Sequence, residues 1–440
     1  MAELEPLYTA DEMRAAEAGH DVDAMMQRAG AAVAEELMRR FPDARRVALY
    51  AGGGANGGDG RIAGEILRAQ GRELVDEQPD VVIDALLGTG LKGAPREETS
   101  RLIEEINATG VPVLAVDIPS GVNASTGEVA GAAVRADVTV TMHGPKVGLA
   151  IAPGRFHAGD VHVADIGLEP AETEHRLVTP EILAEVPRRS PGDNKYTAGH
   201  VLVVGGSSGM TGAAALAARA AFRADVGYVT IAAPAESLPV LETLVLEAVK
   251  RPLEQALEVA TKAKALAIGP GLGRDKEAKA LVRRLLAEVE VPAVVDADAL
   301  FELEPAEWPA PRVLTPHEGE LARLLGRESR EIAAHRLASV QEAAERFGCV
   351  VVLKGEDSLV AAPGRGVLVS ALGLPSLSTA GTGDVLTGIT AAFLAKGMEP
   401  QRAAAAACAA QQLASHEARQ RYGLVASDVV EALPHALARD

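Results

Sequence analysis

Short apolar runs alternate with helical segments along most of this 440-residue chain. In the first part of the chain, the runs that we predict to be strands are residues 47–51, 81–87, 111–118, 138–142 and 161–166. Apolar residues at helical spacing predict helices at 10–18, 25–41, 60–70 and 96–109. Strands that alternate with helices in this way predict an α/β fold, a parallel sheet covered by helices on both faces.

The same pattern begins again after a polar segment, residues 188–195. The strands predicted there are residues 201–205, 228–233, 265–269, 293–296, 313–315 and 350–353. A chain of 440 residues is longer than one hydrophobic core usually organises. We therefore predict two α/β domains, at residues 1–185 and 190–440.

Composition and charge narrow the possible partners. Aromatic residues make up only 3% of the chain, so Ala, Val and Leu must fill the cores. The formal net charge of −18 repels nucleic acids and anionic membranes, and we expect neither as a partner. No apolar run is long enough to cross a bilayer and no secretory signal is visible, so we expect a cytoplasmic protein. Cys349 and Cys408 are the only cysteines, which argues against a disulfide or a zinc cluster.

The first strand is followed by six glycines within residues 52–60. Gly52, Gly54 and Gly57 fit the dinucleotide-binding pattern, but no clear acidic residue closes the next strand, so this match is weak. The glycine density predicts a backbone that approaches a ligand closely or adopts positive φ, and a tight turn without a ligand is the alternative.

Polar side chains follow three successive strands of the predicted first sheet. Asn56 and Asp59 come after the first strand, Asp84 ends the second, and Asp117 ends the third. Each carboxylate alone could simply form a turn or cap a helix. Because the carboxyl ends of parallel strands meet at one edge, the set favours a site for a hard cation or for acid/base chemistry.

The strongest chemical motif is the segment 378–388, which precedes an apolar helix. At Gly381 and Gly383 the backbone N–H groups are left available to bind an anion, and Asp384 lies beside them. A carboxylate next to an anion site suits the removal of a proton from a hydroxyl that attacks phosphorus. The alternative is that Asp384 only stabilises the helix dipole. Ser207 lies in a formal nucleophile-elbow match, but no Asp is well placed for a triad, so we interpret that turn as a substrate platform.

At Ala380–Asp384 the second domain resembles the ribokinase-like superfamily. Residues 268–273, 295–300, 314–320 and 353–355 narrow the resemblance to the NAD(P)H-hydrate dehydratases. In the first domain, residues 56–60, 84–91 and 117–121 are similar to the Rossmann-like NAD(P)H-hydrate epimerases. The order of the two domains matches the bifunctional NAD(P)H-hydrate repair enzymes of bacteria.

The resemblance implies roles for individual residues of the first domain. It implies that Asn56, Asp84 and Ser120 bind K⁺, and we take Asp117 as the candidate acid/base. It implies these substrate contacts: Ala55, Asn56, Gly57, Gly58, Asp59, Gly88, Thr89, Gly90, Leu91, Lys92, Gly93 and Ala94.

For the second domain, the resemblance implies a hydrate site, a nucleotide site and a homo-oligomer. The hydrate would lie near Ala213, Gly271, His317 and the catalytic Asp384. ADP or ATP, with Mg²⁺, would contact these residues: Lys354, Gly355, Glu356, Asp357, Ser358, Gly381, Thr382 and Gly383.

The chain departs from the family pattern at four points. Ala55 stands where the family has Asn, Thr99 where it has Tyr, and Ser358 where it has Thr. Only one helix and the acidic link 73–80 separate the first two strands, where the family has a further strand and helix. We therefore predict a shortened first domain.

The expected function is repair of hydrated NADH and NADPH. The first domain would interconvert the R and S hydrates, and the second would dehydrate the S hydrate with release of phosphate. Two alternatives remain: a vitamin-precursor kinase that keeps its phosphorylated product, and a first domain that binds without catalysis. The expected activities are those of an isomerase and a lyase, and the substrates of both are small molecules.

Overall fold

The computed structural model of the chain describes residues 3–420 and 422–438. One compact unit comprises residues 6–175 and 334–336, and the other comprises the remaining described residues. The strands of the described residues are β1 Glu5–Pro6, β2 Arg46–Ala51, β3 Glu73–Leu74, β4 Val81–Ala85, β5 Val113–Val116, β6 Val138–Met142, β7 Asp160–Ala164, β8 Arg176–Leu177, β9 His200–Val204, β10 Tyr228–Ala233, β11 Val249–Pro252, β12 Ala265–Ile268, β13 Ala293–Val295, β14 Arg312–Leu314, β15 Val350–Leu353, β16 Ser358–Ala361 and β17 Leu368–Ser370.

The helices of the described residues alternate with these strands. They are α1 Ala10–Glu17, α2 Val22–Arg40, α3 Ala55–Ala69, α4 Glu97–Ala108, α5 Val147–Ala150, α6 Arg155–Ala158, α7 Thr211–Arg223, α8 Leu238–Leu244, α9 Ala256–Ala260, α10 Lys276–Glu288, α11 Glu318–Leu325, α12 Ser329–Ala334, α13 Arg336–Phe347, α14 Thr382–Ala395, α15 Pro400–Glu417 and α16 Ala426–Leu437. None of them is long and apolar enough to cross a bilayer.

The first unit is a six-stranded parallel sheet in the order β3-β2-β4-β5-β6-β7. Helices α2 and α3 cover one face, where Val33 and Leu37 pack with Ile83. Helix α4 covers the other face, where Ile103 packs with Val82. Successive residues of a strand point to opposite faces, so Val82 and Ile83 serve different cores. The predicted three-layer fold is confirmed.

The second unit contains an eleven-stranded sheet in the order β1-β8-β17-β16-β15-β14-β13-β12-β9-β10-β11. Its alanine-rich helices α7, α14 and α15 share one core with the sheet. A Cβ atom on Gly388 of α14 would lie 2.1 Å from the Ala217 carbonyl oxygen of α7, so the two helices pack backbone to backbone. Close packing of small residues thus fills this core, where many other proteins use large aromatic side chains.

The structure corrects two features of the sequence-based picture. Strand β16 runs antiparallel to β15 and β17, because only short loops join the three strands and no helix crosses between them. Helix α3 begins at Ala55, five residues before the predicted start. Its glycines argue against a helix by propensity, but contacts with neighbouring segments require them: a Cβ on Gly57 would lie 1.9 Å from the Gly52 carbonyl oxygen.

Candidate functional site

A cavity of about 690 Å³ opens in the first unit, beside the carboxyl ends of β2, β4 and β5. Among the residues predicted to contact substrate, its lining contains Ala55, Asn56, Asp59, Gly88, Thr89, Gly90, Leu91, Lys92 and Ala94. Asp117 also lines it, and so does Thr99. Gly57, Gly58 and Gly93 are not part of the lining, and Gly58 instead lies against Met26. The structure therefore gathers most of the predicted contacts around one space.

The three predicted K⁺ ligands are connected by hydrogen bonds, Asn56 and Ser120 through the backbone of Leu87 and Asp84 through Ser120. Asn56 donates from Nδ2 to the Leu87 carbonyl oxygen at 2.8 Å, and the Leu87 N–H donates to Ser120 Oγ at 2.9 Å. Asp84 is fully buried and accepts from the Ser120 hydroxyl at 2.6 Å and the Ser120 N–H at 2.8 Å. Parallel pairing of β2, β4 and β5 places all three side chains at one sheet edge.

The chemistry of this cluster fits a cation. Asn56 Oδ1 is buried and has no hydrogen-bond partner among the described residues. Burial raises the pKa of Asp84 to about 6, against the hydrogen bonds from Ser120 and Leu86. A carboxylate in so dry a place is stabilised by a positive charge, and amide, hydroxyl and carboxylate oxygens suit a hard ion.

Asp117 is held by one carboxylate oxygen. Its Oδ1 accepts from Lys146 Nζ at 2.6 Å, the Met142 N–H at 3.1 Å and Thr141 Oγ1 at 3.2 Å. Its Oδ2 accepts no hydrogen bond from a described residue. The backbone of Asp117 has φ of 63°, in the left-handed region that is costly for a residue other than glycine. Oδ1 is thus hydrogen-bonded within the protein, and Oδ2 is available to a ligand.

Two further carboxyl groups line the same cavity. Burial, followed by the charges of Asp117 and Glu17, raises the pKa of Asp59 to about 7. The pKa of Glu17 is also raised, by burial and by Asp117. The cavity can therefore hold a protonated carboxyl group near neutral pH together with Asp117, an arrangement suited to acid/base chemistry.

In the second unit, the amino end of α14 carries the predicted anion site. Gly381 is the N-cap, with φ of 89°, and Thr382 and Gly383 open the helix. Asp384 lies in the first turn. Burial, and then the charge of Asp296, raises the pKa of Asp384 to about 7, although Lys354 lowers it. Asp384 can therefore accept a proton near neutral pH.

The structure also places the other residues predicted for this unit. Gly271 and Ala213 are neighbours, since a Cβ on Gly271 would lie 3.3 Å from the Ala213 Cβ. His317 is the N-cap of α11, with its side chain 57% exposed. Ser207 donates its hydroxyl to the Leu272 carbonyl oxygen at 2.5 Å, which binds the two loops together and gives no sign of a nucleophile.

The predicted nucleotide loop joins β15 to β16. Lys354 directly follows β15, Gly355 and Glu356 form the bend, Asp357 is fully buried, and Ser358 opens β16. The Lys354 ammonium group points away from this bend, toward Gly383 and Asp296. The loop and the amino end of α14 are thus connected through one side chain.

The sequence argument gave no role to Lys146, Asp296 or Glu17. Lys146 follows the carboxyl end of β6, and Asp296 directly follows β13. The rule that singled out Asp84 and Asp117, a polar residue at the end of a parallel strand, would have found Asp296 but not Lys146, which lies four residues beyond β6. Glu17 ends a helix that packs on the site from elsewhere in the chain, and no sequence signal marks it.

Two family models match the chain. The model described as NAD(P)H-hydrate dehydratase matches residues 201–435, and the model described as YjeF-related protein N-terminus matches residues 22–77 and 72–148. The first match covers more than half of the chain. The second is split near β3, where the sequence predicts a missing strand and helix.

Curated relatives match over nearly the whole length. The bifunctional NAD(P)H-hydrate repair enzyme of Moorella thermoacetica is 35% identical over 94% of this chain and 92% of its own. The enzyme of that name from Escherichia coli is 34% identical over 93% of this chain and 88% of its own.

A solved structure matches the second unit. The ADP/ATP-dependent NAD(P)H-hydrate dehydratase of Bacillus subtilis, co-crystallised with ATP and Mg²⁺, is 29% identical, with a TM-score of 0.54, over 59% of this chain and 96% of its own. A ribokinase-like protein from Enterococcus faecalis, 24% identical with a TM-score of 0.54, confirms the ribokinase-like fold of that unit. With both domain models in order and relatives matched over about nine tenths of their own length, the chain belongs to the family of bifunctional NAD(P)H-hydrate repair enzymes.

Proposed function

We propose that this chain restores hydrated NADH and NADPH, with epimerisation in residues 1–185 and nucleotide-dependent dehydration in residues 190–440. The observation that carries the proposal is Asp384, half-buried in the first turn of α14 beside Gly381 and Gly383. A carboxyl group that can take a proton near neutral pH, next to free backbone N–H groups, suits phosphorylation of a hydroxyl.

For dehydration, Asp384 accepts the proton of the hydrate hydroxyl as its oxygen attacks the terminal phosphoryl group of ADP or ATP. The P–O bond to the nucleotide breaks, and a phosphate ester forms. The ring nitrogen lone pair then expels phosphate, and loss of a proton from the adjacent ring carbon restores the reduced nicotinamide. The Gly381 and Gly383 N–H groups, with Lys354, stabilise the negative charge that develops on the phosphoryl oxygens.

Mg²⁺ would enter with the nucleotide. Among the described residues no cluster of three or more His, Cys, Asp or Glu is arranged to hold a metal ion. Phosphate oxygens and water molecules would therefore supply most of its ligands, since Mg²⁺ usually keeps several waters. When bound, the ion neutralises phosphate charge.

For epimerisation, the free Oδ2 of Asp117 takes the proton of the hydrate hydroxyl while the bond between the hydroxylated carbon and the ring nitrogen breaks, which leaves an aldehyde and a protonated nitrogen. Reclosure of the ring on the other face of the aldehyde, with the nitrogen proton lost and a proton returned to the oxygen, gives the other epimer, and Lys146 keeps the carboxylate in place. Asp59 is the second carboxyl group that can face the ring in the cavity. We propose that Asn56, Asp84 and Ser120 hold K⁺, whose charge would offset that of the buried Asp84. The unpartnered Oδ1 of Asn56 supports this.

One assay tests the proposal on the full chain. A mixture of R and S hydrates of NADH is incubated with ADP or ATP and Mg²⁺, in K⁺ or in Na⁺. Recovery of reduced-nicotinamide absorbance, phosphate release and epimer ratio are followed together. We expect equal recovery and phosphate release, and faster epimer exchange in K⁺. A stable phosphoester would support the kinase alternative, and no recovery with either nucleotide would refute dehydration.

A further inference from the structure

Asp296 lies beside the amino end of α14 in the proposed dehydratase site, with its Oδ2 3.7 Å from the position of a Cβ on Gly383. It directly follows β13, and its side chain is almost fully buried. Its Oδ1 accepts from Lys354 Nζ at 2.7 Å, and its Oδ2 accepts from Thr387 Oγ1 at 2.9 Å. Both carboxylate oxygens are committed to the protein, so Asp296 cannot serve as the acid or base of the reaction.

The Lys354 ammonium group is placed by these contacts. It lies 3.3 Å from the position of a Cβ on Gly383, at the amino end of α14, and 3.8 Å from Glu320. Burial works against its charge, but Asp296 and Glu320 outweigh burial and raise the pKa of Lys354. A lysine is a flexible point charge, so a fixed carboxylate is needed to hold it where phosphate binds.

Asp296 also acts on Asp384 through charge. After burial, it is the largest cause of the raised pKa of Asp384. The other charged groups that face Asp384 are Lys354, which lowers its pKa, and Asp298, which raises it. Neutralising Asp296 would leave Lys354 less opposed and would lower the pKa of Asp384.

We propose that Asp296 is a positioning residue that holds the Lys354 ammonium group at the amino end of α14 for the nucleotide phosphates. Its negative charge also acts on Asp384, so one buried carboxylate positions the cation of the anion site and influences the proton affinity of the base. This inference rests on the proposed dehydration. A purely structural ion pair is the alternative, and it would affect folding alone.

The test measures nucleotide binding and the pH profile separately on the full chain. ATP with Mg²⁺ is titrated calorimetrically into the wild type, Asp296→Asn and Thr387→Val. We expect Asp296→Asn to weaken binding about tenfold or more, the size expected for one charge-assisted hydrogen bond. Thr387→Val keeps both charges and removes the hydrogen bonds of the Thr387 hydroxyl to Asp296 Oδ2 and to the Gly383 carbonyl oxygen, so we expect its Kd to change by about twofold at most.

The pH dependence of the dehydration rate is the second measurement, because a purely structural ion pair would leave it unchanged. In Asp296→Asn the acid limb of hydrate dehydration should move to lower pH, and in Thr387→Val it should stay. Lys354→Met should weaken nucleotide binding, and adding Asp296→Asn to it should weaken binding no further. A wild-type Kd and acid limb in Asp296→Asn, or equal losses in Thr387→Val, would overturn the proposal.

Two results separate this inference from the proposed function. If the wild type binds ATP but does not restore the hydrate, dehydration fails, while the Kd comparison still decides the role of Asp296. Where Asp296→Asn does not fold, Asp296→Glu keeps the charge and displaces Lys354. We then expect weaker nucleotide binding with an unchanged acid limb, and a wild-type Kd would again refute the proposal.

Discussion

Single carboxyl groups carry the proposed chemistry, and burial sets their behaviour. The pKa of Asp384 is raised to about 7, chiefly by burial and then by Asp296. As a base it must be ionised, so dehydration in the free enzyme should accelerate as the pH rises through about 7. Asp384→Asn should lower kcat about a thousandfold, which recovery of reduced-nicotinamide absorbance will measure. Asp428→Asn, in the first turn of α16, is the control, and a fully active Asp384→Asn would contradict the mechanism.

The raised pKa of Asp384 also predicts that replacing this residue stabilises the folded protein at high pH. The folded protein favours protonated Asp384, so this contribution is fully present below the unfolded pKa and is lost as the pH rises through about 7. Asp384→Asn removes the titrating group. We expect the variant to raise the unfolding temperature of the second unit at about pH 8 and not at about pH 3. The rise should correspond to roughly 1–3 kcal/mol in the free energy of unfolding.

Lys146 should matter to epimerisation as much as the carboxylate it holds. Lys146→Met keeps the length of the side chain and removes the donor to Asp117 Oδ1. We expect epimer exchange to fall about a hundredfold in kcat with little change in KM, since orientation of an acid/base group is lost. Arg101→Met changes the net charge equally at an exposed ion pair, and it should exchange epimers normally. Normal exchange in a folded Lys146→Met protein would remove Lys146 from the mechanism.

At the scale of elements, the start of α3 depends on close backbone contact. A Cβ on Gly57 would lie 1.9 Å from the Gly52 carbonyl oxygen, whereas a Cβ on Gly54 meets nothing within 4 Å. We expect Gly57→Ala to destabilise the first unit by about 2 kcal/mol or more, and Gly54→Ala to change stability by about 0.5 kcal/mol at most. Urea unfolding will measure both, and equal stabilities would contradict the packing described for this turn.

The edge of the first sheet at β3 is short, and the sequence predicts there a missing strand and helix. Strand β3 is two residues long and pairs with β2 at Arg46 and Val47. The alignment with the Moorella thermoacetica enzyme runs over 486 positions, which exceeds the 440 residues of this chain, so the relative contains segments that are absent here. The cavity lies beside β2, β4 and β5, and its lining contains no residue of β3.

At the scale of the whole molecule, the two proposed sites are built from different units. Loss of one should therefore leave the other intact. With a mixture of R and S hydrates, Asp117→Asn should restore the S hydrate at the wild-type initial rate and leave the R hydrate to slow spontaneous exchange. Asp384→Asn should still equilibrate the epimers. Chromatography of both epimers over time measures this, and a slowed S-hydrate reaction in Asp117→Asn would show that the sites are coupled.

Both proposed sites use a lysine paired with an aspartate at the end of a parallel strand, and Lys146 is buried while Lys354 is half-buried. Lys146 holds the candidate acid/base itself, while Lys354 is held by Asp296 and faces the anion site. The strands and the residues at their ends were predictable, because apolar periodicity and strand-end polar residues are local signals. The pairings were not, because 29 residues separate Lys146 from Asp117 and 58 separate Lys354 from Asp296.

Local sequence alone determined the α/β class, most strand positions and the polar residues at the strand ends, since these follow from the period of apolar residues and from glycine-rich turns. Only the tertiary structure decided that α3 begins at Ala55, that β16 turns back antiparallel, and which oxygen of Asp117 is free. The reason is physical: burial, charge and backbone contact at a site depend on segments far apart in the chain. Propensity and spacing describe only near neighbours.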